Sequence, residues 1–316
     1  GLTMSTNTDS DGKMSVIARI LDSDIWYSFT RSKVTMIAAF VTFLIFASAL
    51  FAPIISPHNP FDLASLSLMD SLLPPAWNAD GDPNYLLGTD DQGRDVLSTI
   101  LYGSRISIAV GLVSVAFAAV LGITLGLVAG YMGGRVDAII MRVADVQLSF
   151  PAILIALLID GTVNALVGGM DRERSAFTVL VISIGLSFWV QYARTVRSST
   201  MVERNKEYVQ AARLIGLNPF LIMLRHVLPN VMGPVLVIAT INLALAVITE
   251  ATLSFLGVGI PGTQPSLGTM IRTGNDFLFS GEWWITLFPG AMLAILVLAV
   301  NLLGDWLRDA LNPKLR

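Results

Sequence analysis

Residues 106–130 read ISIAVGLVSVAFAAVLGITLGLVAG, a run of 25 without one charged side chain. A helix that crosses the hydrocarbon core of a bilayer needs about 20 mostly apolar residues, so this stretch is long enough by itself. It is too long for a strand and lacks the alternation of one. Five further stretches of the same kind lie at 34–55, 138–159 (with Pro151 inside it), 176–192, 231–256 and 284–303. The spacing predicts an all-α integral membrane protein with six transmembrane helices.

Composition agrees. Of 316 residues, 54% are hydrophobic and only 14% charged, against roughly 25% charged in a soluble domain. Mean hydropathy is +0.69. With no cysteine there is no disulfide framework, no thiolate zinc site and no cysteine nucleophile. A net charge of −3 without a clustered basic face gives no sign of nucleic-acid binding. His58 and His226 stand alone in the sequence, so a metal site is not expected.

Orientation follows the positive residues. With both termini cytoplasmic, 15 of the 20 Lys and Arg fall on the inner side, Lys13, Arg19, Lys314 and Arg316 among them. The outer side keeps only Arg94, Arg105, Arg172, Arg174 and Arg272. The chain then divides into a cytoplasmic tail (1–33), a first span with a large outer segment (34–103), a transmembrane domain (104–305) and a short cytoplasmic tail (306–316). The first span is too long for a signal-peptide core and reads as a retained anchor.

Three connections exceed what a helical hairpin needs, and long ordered loops usually carry function. The inner one, 207–229, reads as two short helices. Tyr208, Ala211, Ala212 and Ile215 fall at i, i+3, i+4 and i+7, one face of a helix. Gly216 suits the left-handed closing position, and Asn218-Pro219 suits an N-cap followed by the first helical residue. The second helix is expected to stop at Pro229. By composition alone this pair could lie on lipid headgroups or dock a partner.

The outer segment carries Gly88-Thr89-Asp90-Asp91-Gln92-Gly93-Arg94-Asp95. Asp90, Asp91, Arg94 and Asp95 can form a local ion-pair network, with Asp95 capping the helix that begins near Val96. This fits a folded cap over the bundle or a contact for an extracytoplasmic protein. Trp283 and Trp284 are expected in the interfacial aromatic belt. Within the spans, Arg142 and Asp145 are three apart and expected to pair. Glu250, and with it Asn242, is a candidate for the translocation pathway, or else for a contact between helices or subunits.

The run Gln210-Ala211-Ala212, Gly216, Arg225-His226, Leu228-Pro229 resembles the EAA loop of ABC importer permeases. Two positions depart from that pattern: Gln210 replaces its leading Glu, and His226 its usual Ile. The segments Leu86–Ser98, Gly130–Gly134 and Leu253–Gly259, with the ending Asn301–Leu315, are similar to the C-type subunit of the dipeptide/oligopeptide/nickel family. Leu267 stands where that family commonly has Trp.

The resemblance implies a type I (MetI-like) transmembrane fold in the bacterial inner membrane and a translocating subunit that is not itself an enzyme. It implies docking of an ATPase through Tyr208, Gln210, Ala211, Ala212, Gly216, Arg225, His226, Leu228 and Pro229. Its implied partners are a homologous B-type permease, two ABC ATPase subunits and a periplasmic solute-binding protein. No G-x-x-x-x-G-K-[ST] loop occurs in the chain, so ATP and Mg belong on the ATPase subunits. The alternative is an ion-gradient-driven secondary transporter.

Overall fold

The computed structural model describes residues 24–167 and 172–311, without the side chains of 167 and 172–174. Lys13, Arg19, Lys314 and Arg316, and the side chains of Arg172 and Arg174, therefore lie outside what is described. Besides the single turn Ala52–Ile55, the α-helices are α1 (Asp24–Arg31), α2 (Lys33–Leu50), α3 (Val96–Met132), α4 (Gly134–Leu148), α5 (Ala152–Val167), α6 (Arg172–Glu203), α7 (Glu207–Leu214), α8 (Pro219–Ile222), α9 (Leu228–Phe255), α10 (Leu267–Phe277) and α11 (Trp284–Ala310). Among the described residues the one β contact is the isolated bridge Thr89–Asp95.

Five helices are long and apolar enough to cross a membrane. The sixth expected span is corrected: 138–159 is no single helix but the pair α4 and α5, bent by 99°. Pro151 lacks an N–H and disfavours helical geometry at Phe150, so the ladder ends at Leu148 and restarts beyond the proline. Together the pair is apolar enough for a sixth crossing, which gives five or six spans among the described residues.

The core forms where α3 lies along α6. Gly122, Gly126 and Gly130 recur every fourth residue on α3. A Cβ at these positions would lie 2.5, 2.6 and 2.7 Å from the carbonyl oxygens of Trp189, Ala193 and Arg197. The two backbones therefore touch, as small-xxx-small seams allow in membranes. Around that seam pack Leu180, Ile184, Tyr192, Val209, Val227 and Leu253, all essentially buried. A smaller apolar cluster joins α2, α3, α9 and α11 through Ile45, Ile108, Val247 and Leu296.

At one end the segment 56–95 and the loop around α10 fold into a cap. The Trp284 indole donates to Thr89 O at 2.9 Å and is 6% exposed, so Trp284 is a core tie and not a belt residue as expected. At the other end Ser28 accepts from the Trp306 indole at 3.3 Å, and Phe29 meets the Trp306 ring edge-on. The first and last described helices thus meet away from the cap.

Candidate functional site

The connection from α6 to α9 builds a knob at the end opposite the cap. Lys206 opens α7, and Gly216 closes it with φ +84°, a left-handed conformation that favours glycine. Asn218 caps α8 by accepting the Phe220 N–H at 3.0 Å, with Pro219 in its first turn. The expected stop at Pro229 is corrected. Met223–Val227 forms a π-helical turn in which the Leu228 N–H donates to Met223 O, five residues back. This widened turn accommodates the proline ring, and the helix continues into α9. Residues Pro219–Phe255 run as one continuous span of 37 residues.

The expected helical face also divides differently. Val209 and Ala212 are buried, while Ala211 points outward and Ile215, the α7 C-cap, is 77% exposed. Neighbouring positions on a helix lie about 100° apart, so adjacent alanines serve opposite sides. Exposed with Ile215 are Leu214, Phe220 and Leu224, together with Gln210, Arg225 and Pro229. His226 and Leu228 are half-buried.

Polar ties fix the knob on the bundle. Tyr208 OH donates to the Glu203 carboxylate and accepts from Asn230 Nδ2 at 3.1 Å, joining the end of α6 to the start of α9. Burial, and next the Glu203 carboxylate, push the Tyr208 hydroxyl up to about 12, so it stays a donor at any physiological pH. Arg213 donates to Tyr131 OH at 3.1 Å and lies over its ring at 4.8 Å. Arg204 donates to Gly130 O at 3.0 Å. Arg197 pairs bidentately with Asp137, one contact being 2.8 Å. The expected Arg142–Asp145 pair is corrected: Asp145 binds Arg194 of α6, because α4 turns that face toward α6 and not along its own helix. Apart from Tyr208 and Glu203, five residues apart, these pairs bridge segments far apart in sequence and none of them was legible beforehand.

In the cap, Asp95 accepts the Ser98 N–H at 3.1 Å and caps α3 as expected. Asp90 Oδ1 accepts the N–H groups of Gln92 and Arg94, both at 2.9 Å. The Arg94 guanidinium lies 4.0 Å from the other Asp90 oxygen, but both its terminal nitrogens donate to Gly262 O at 3.2 Å. The network is therefore not purely local: it sews the segment 56–95 to the loop that precedes α10. Burial lifts the Asp90 carboxyl to about 6, outweighing Arg94 and the two amides. Burial raises Asp95 as well.

Glu250 and Asn242 lie inside this chain at 0% and 1% exposure, so neither reaches a surface of it. Among the described residues no group of three or more His, Cys, Asp or Glu is placed to hold a metal ion.

Broken and straight spans around a tight helix seam, with an ordered cap at one end and a knob at the other, define a multi-pass membrane protein of transporter type. Residues 122–316 match the model of the binding-protein-dependent transport system inner membrane component. Residues 23–75 match the N-terminal TM domain of oligopeptide transport permease C. The chain is 39% identical over 294 residues to the di/tripeptide transport system permease protein DppC of Pseudomonas aeruginosa, covering 93% of this chain and 92% of the relative. The dipeptide transport system permease protein DppC of Haemophilus influenzae is 36% identical over 293 residues (93% and 95%). The oligopeptide transport system permease protein OppC of Bacillus subtilis is 33% identical over 310 (98% and 95%). The fold matches a chain of the inward-facing MetNI methionine ABC transporter with a TM-score of 0.53 at 20% identity, covering 68% of this chain and 96% of that one. The chain belongs to the binding-protein-dependent transport permeases of the inner membrane, a transport component of MetI-like fold.

Proposed function

We propose that this chain is the C-type translocating subunit of an ATP-driven importer of di- or oligopeptides. In this reading it pairs with a homologous B-type permease, rests on two ABC ATPase subunits that hold ATP and Mg, and receives solute from a periplasmic binding protein. The relatives that match most of its length are peptide permeases, which supports the substrate class. The inner-side excess of Lys and Arg supports cytoplasmic termini and a cytoplasmic knob.

The observation that carries the docking role is the knob's bare apolar surface. Leu214, Ile215, Phe220 and Leu224 are 61–89% exposed at the knob, the last two in the opening turns of the continuous run Pro219–Phe255. Clustered apolar exposure of this kind marks a partner surface. Closure of the ATPase subunits would press on α7 and α8, and the unbroken path through the π turn would carry the displacement into α9. The ligand-loaded binding protein then favours whichever state it fits better, as differential affinity requires.

Gly216→Val tests the reading. A Cβ at Gly216 meets nothing within 4 Å, so the substitution is opposed by its φ of +84° and not by crowding. The local strain is about 1–3 kcal/mol. Membrane insertion should survive, while uptake of a labelled dipeptide by the reconstituted transporter should fall by about tenfold or more, within the usual span of coupling energies. Unchanged uptake would end the docking role.

A further inference from the structure

A carboxyl at membrane depth is costly, and it is retained where it has work to do. Glu250 sits near the cap end of α9, where the Ser254 hydroxyl donates to its Oε1 at 2.8 Å. Ser107 on α3 and Ser266 at the head of α10 lie near enough to influence the carboxyl, though its Oε2 is buried with no hydrogen-bond partner in this chain. The same serines hold the outer loop. Ser254 Oγ accepts the Ile260 N–H at 3.1 Å, and Ser107 Oγ accepts the Leu267 N–H at 3.3 Å. Thr269 closes the ring by donating its hydroxyl to Ile260 O at 3.1 Å.

Backbone contact makes this junction close to all-or-none. A Cβ at Gly268 would lie 2.5 Å from both Ala251 Cα and Ala251 O. One at Gly103 would lie 3.1 Å from Pro265 O. Tightly packed contacts of this sort give way between discrete arrangements and do not deform smoothly. The junction stands at the far end of the continuous 37-residue path that begins in the knob. At 1.5 Å per residue that path is about 55 Å long.

We infer that Glu250 is a positioning residue for transport: its carboxyl latches α10 and the outer loop to the cap end of α9, so that movement of the knob is delivered to the outer mouth. The inference rests on the docking role proposed for the knob. Without the acceptor at Glu250, Ser254 loses the partner that orients it toward Ile260, and the loop that leads into α10 loses that tie, leaving the Gly268–Ala251 contact alone to hold α10 on α9.

The chain has no cysteine, so Met270→Cys places a single thiol in it, on α10 at a site 4% exposed. In the complete purified transporter, with any cysteines of the other subunits replaced, labelling of that thiol by a membrane-impermeant maleimide reports the mouth. ATP hydrolysis reports the ATPase end. With Glu250 present, ATP plus vanadate should change the labelling rate by about fivefold or more. In Glu250→Leu the rate should no longer respond to ATP plus vanadate, while hydrolysis continues. Glu250→Gln, which keeps an acceptor for Ser254, should restore the response; a purely structural carboxyl would give no such split. If Glu250→Leu fails to insert, Ser254→Ala carries the same prediction with a smaller change. A nucleotide response left intact in Glu250→Leu or Ser254→Ala overturns the latch. Failure of the docking role shows separately, as normal hydrolysis and labelling response in Gly216→Val.

Discussion

The two ends of the molecule solve opposite problems. The interior of the cap is tied together within the chain: Thr89, Asp90, Arg94 and Asp95 are all buried, and Gly268 brings α10 into backbone contact with α9, while Leu63, Leu68, Met69 and Phe279 stay bare on its rim. The knob end is anchored as firmly by Tyr208, Arg204 and Arg213, but its outer surface is left apolar and uncovered. The bare side chains of the knob are fitted to receive a partner; the buried polar interior of the cap is fitted to hold a shape. The contrast gives the two ends different sensitivities: substitutions on the knob surface should damage assembly and spare folding, and those in the cap should do the reverse.

The largest expected effect is at the knob. Ile215→Asp with Phe220→Asp should abolish co-purification of the ATPase subunits, since buried anchors at interfaces are worth about 2–4 kcal/mol each. The thermal midpoint of the isolated chain should move little, because exposed sites cost about 0.5 kcal/mol or less. A large drop in midpoint would show that these side chains belong to the fold. Next comes Gly268→Ala, which forces α10 off Ala251 and should cost about 1–3 kcal/mol of thermal stability with ATPase binding retained. Trp284→Phe removes the donor to Thr89 O and should loosen the cap by about 1 kcal/mol, read as faster proteolysis of 56–95.

The smallest effect is a pH dependence. The Asp90 carboxyl lies near 6 in the fold and near 3.8 in an unfolded chain. The folded state therefore holds the proton more tightly, and the stability this site contributes is greatest below its unfolded value and declines as pH rises through about 6. Asp95, also raised by burial, adds a slope of the same sign. Asp90→Asn should remove the part of the slope between about pH 3.8 and 6, followed by the thermal midpoint of Trp fluorescence. A slope unchanged in Asp90→Asn would show that Asp90 is not its source.

Two prolines show how far local reading reaches. Pro151 and Pro229 both follow a helical run that they could end. At Pro151 the chain turns by 99°, and the last turn of α4 is held to α6, where Gln147 accepts from the Trp189 indole at 2.9 Å. At Pro229 the helix carries on, because Val227 and Val231 on either side are buried in the main core and a π turn absorbs the ring. Proline supplies the same local penalty at both sites; packing against other helices decides whether the chain turns away or stays in line. The Gly122, Gly126, Gly130 stripe shows the same division: the fourfold spacing lies in the chain, but only packing decides that it meets Trp189, Ala193 and Arg197 of α6.

What the amino-acid order determined by itself is everything set by summed or nearest-neighbour terms. Hydropathy over about 20 residues fixes membrane residence, and capping chemistry fixes Asp95 at the head of α3 and Asn218-Pro219 at the head of α8. The positive φ at Gly216 belongs with these, because it depends only on the absence of a side chain. Tertiary structure alone decided that Asp145 meets Arg194, that Arg94 reaches Gly262, and that the Ser107 hydroxyl of α3 receives the Leu267 N–H of α10. Those contacts join residues brought together only when distant helices pack, and a buried polar group takes whichever partner that packing presents.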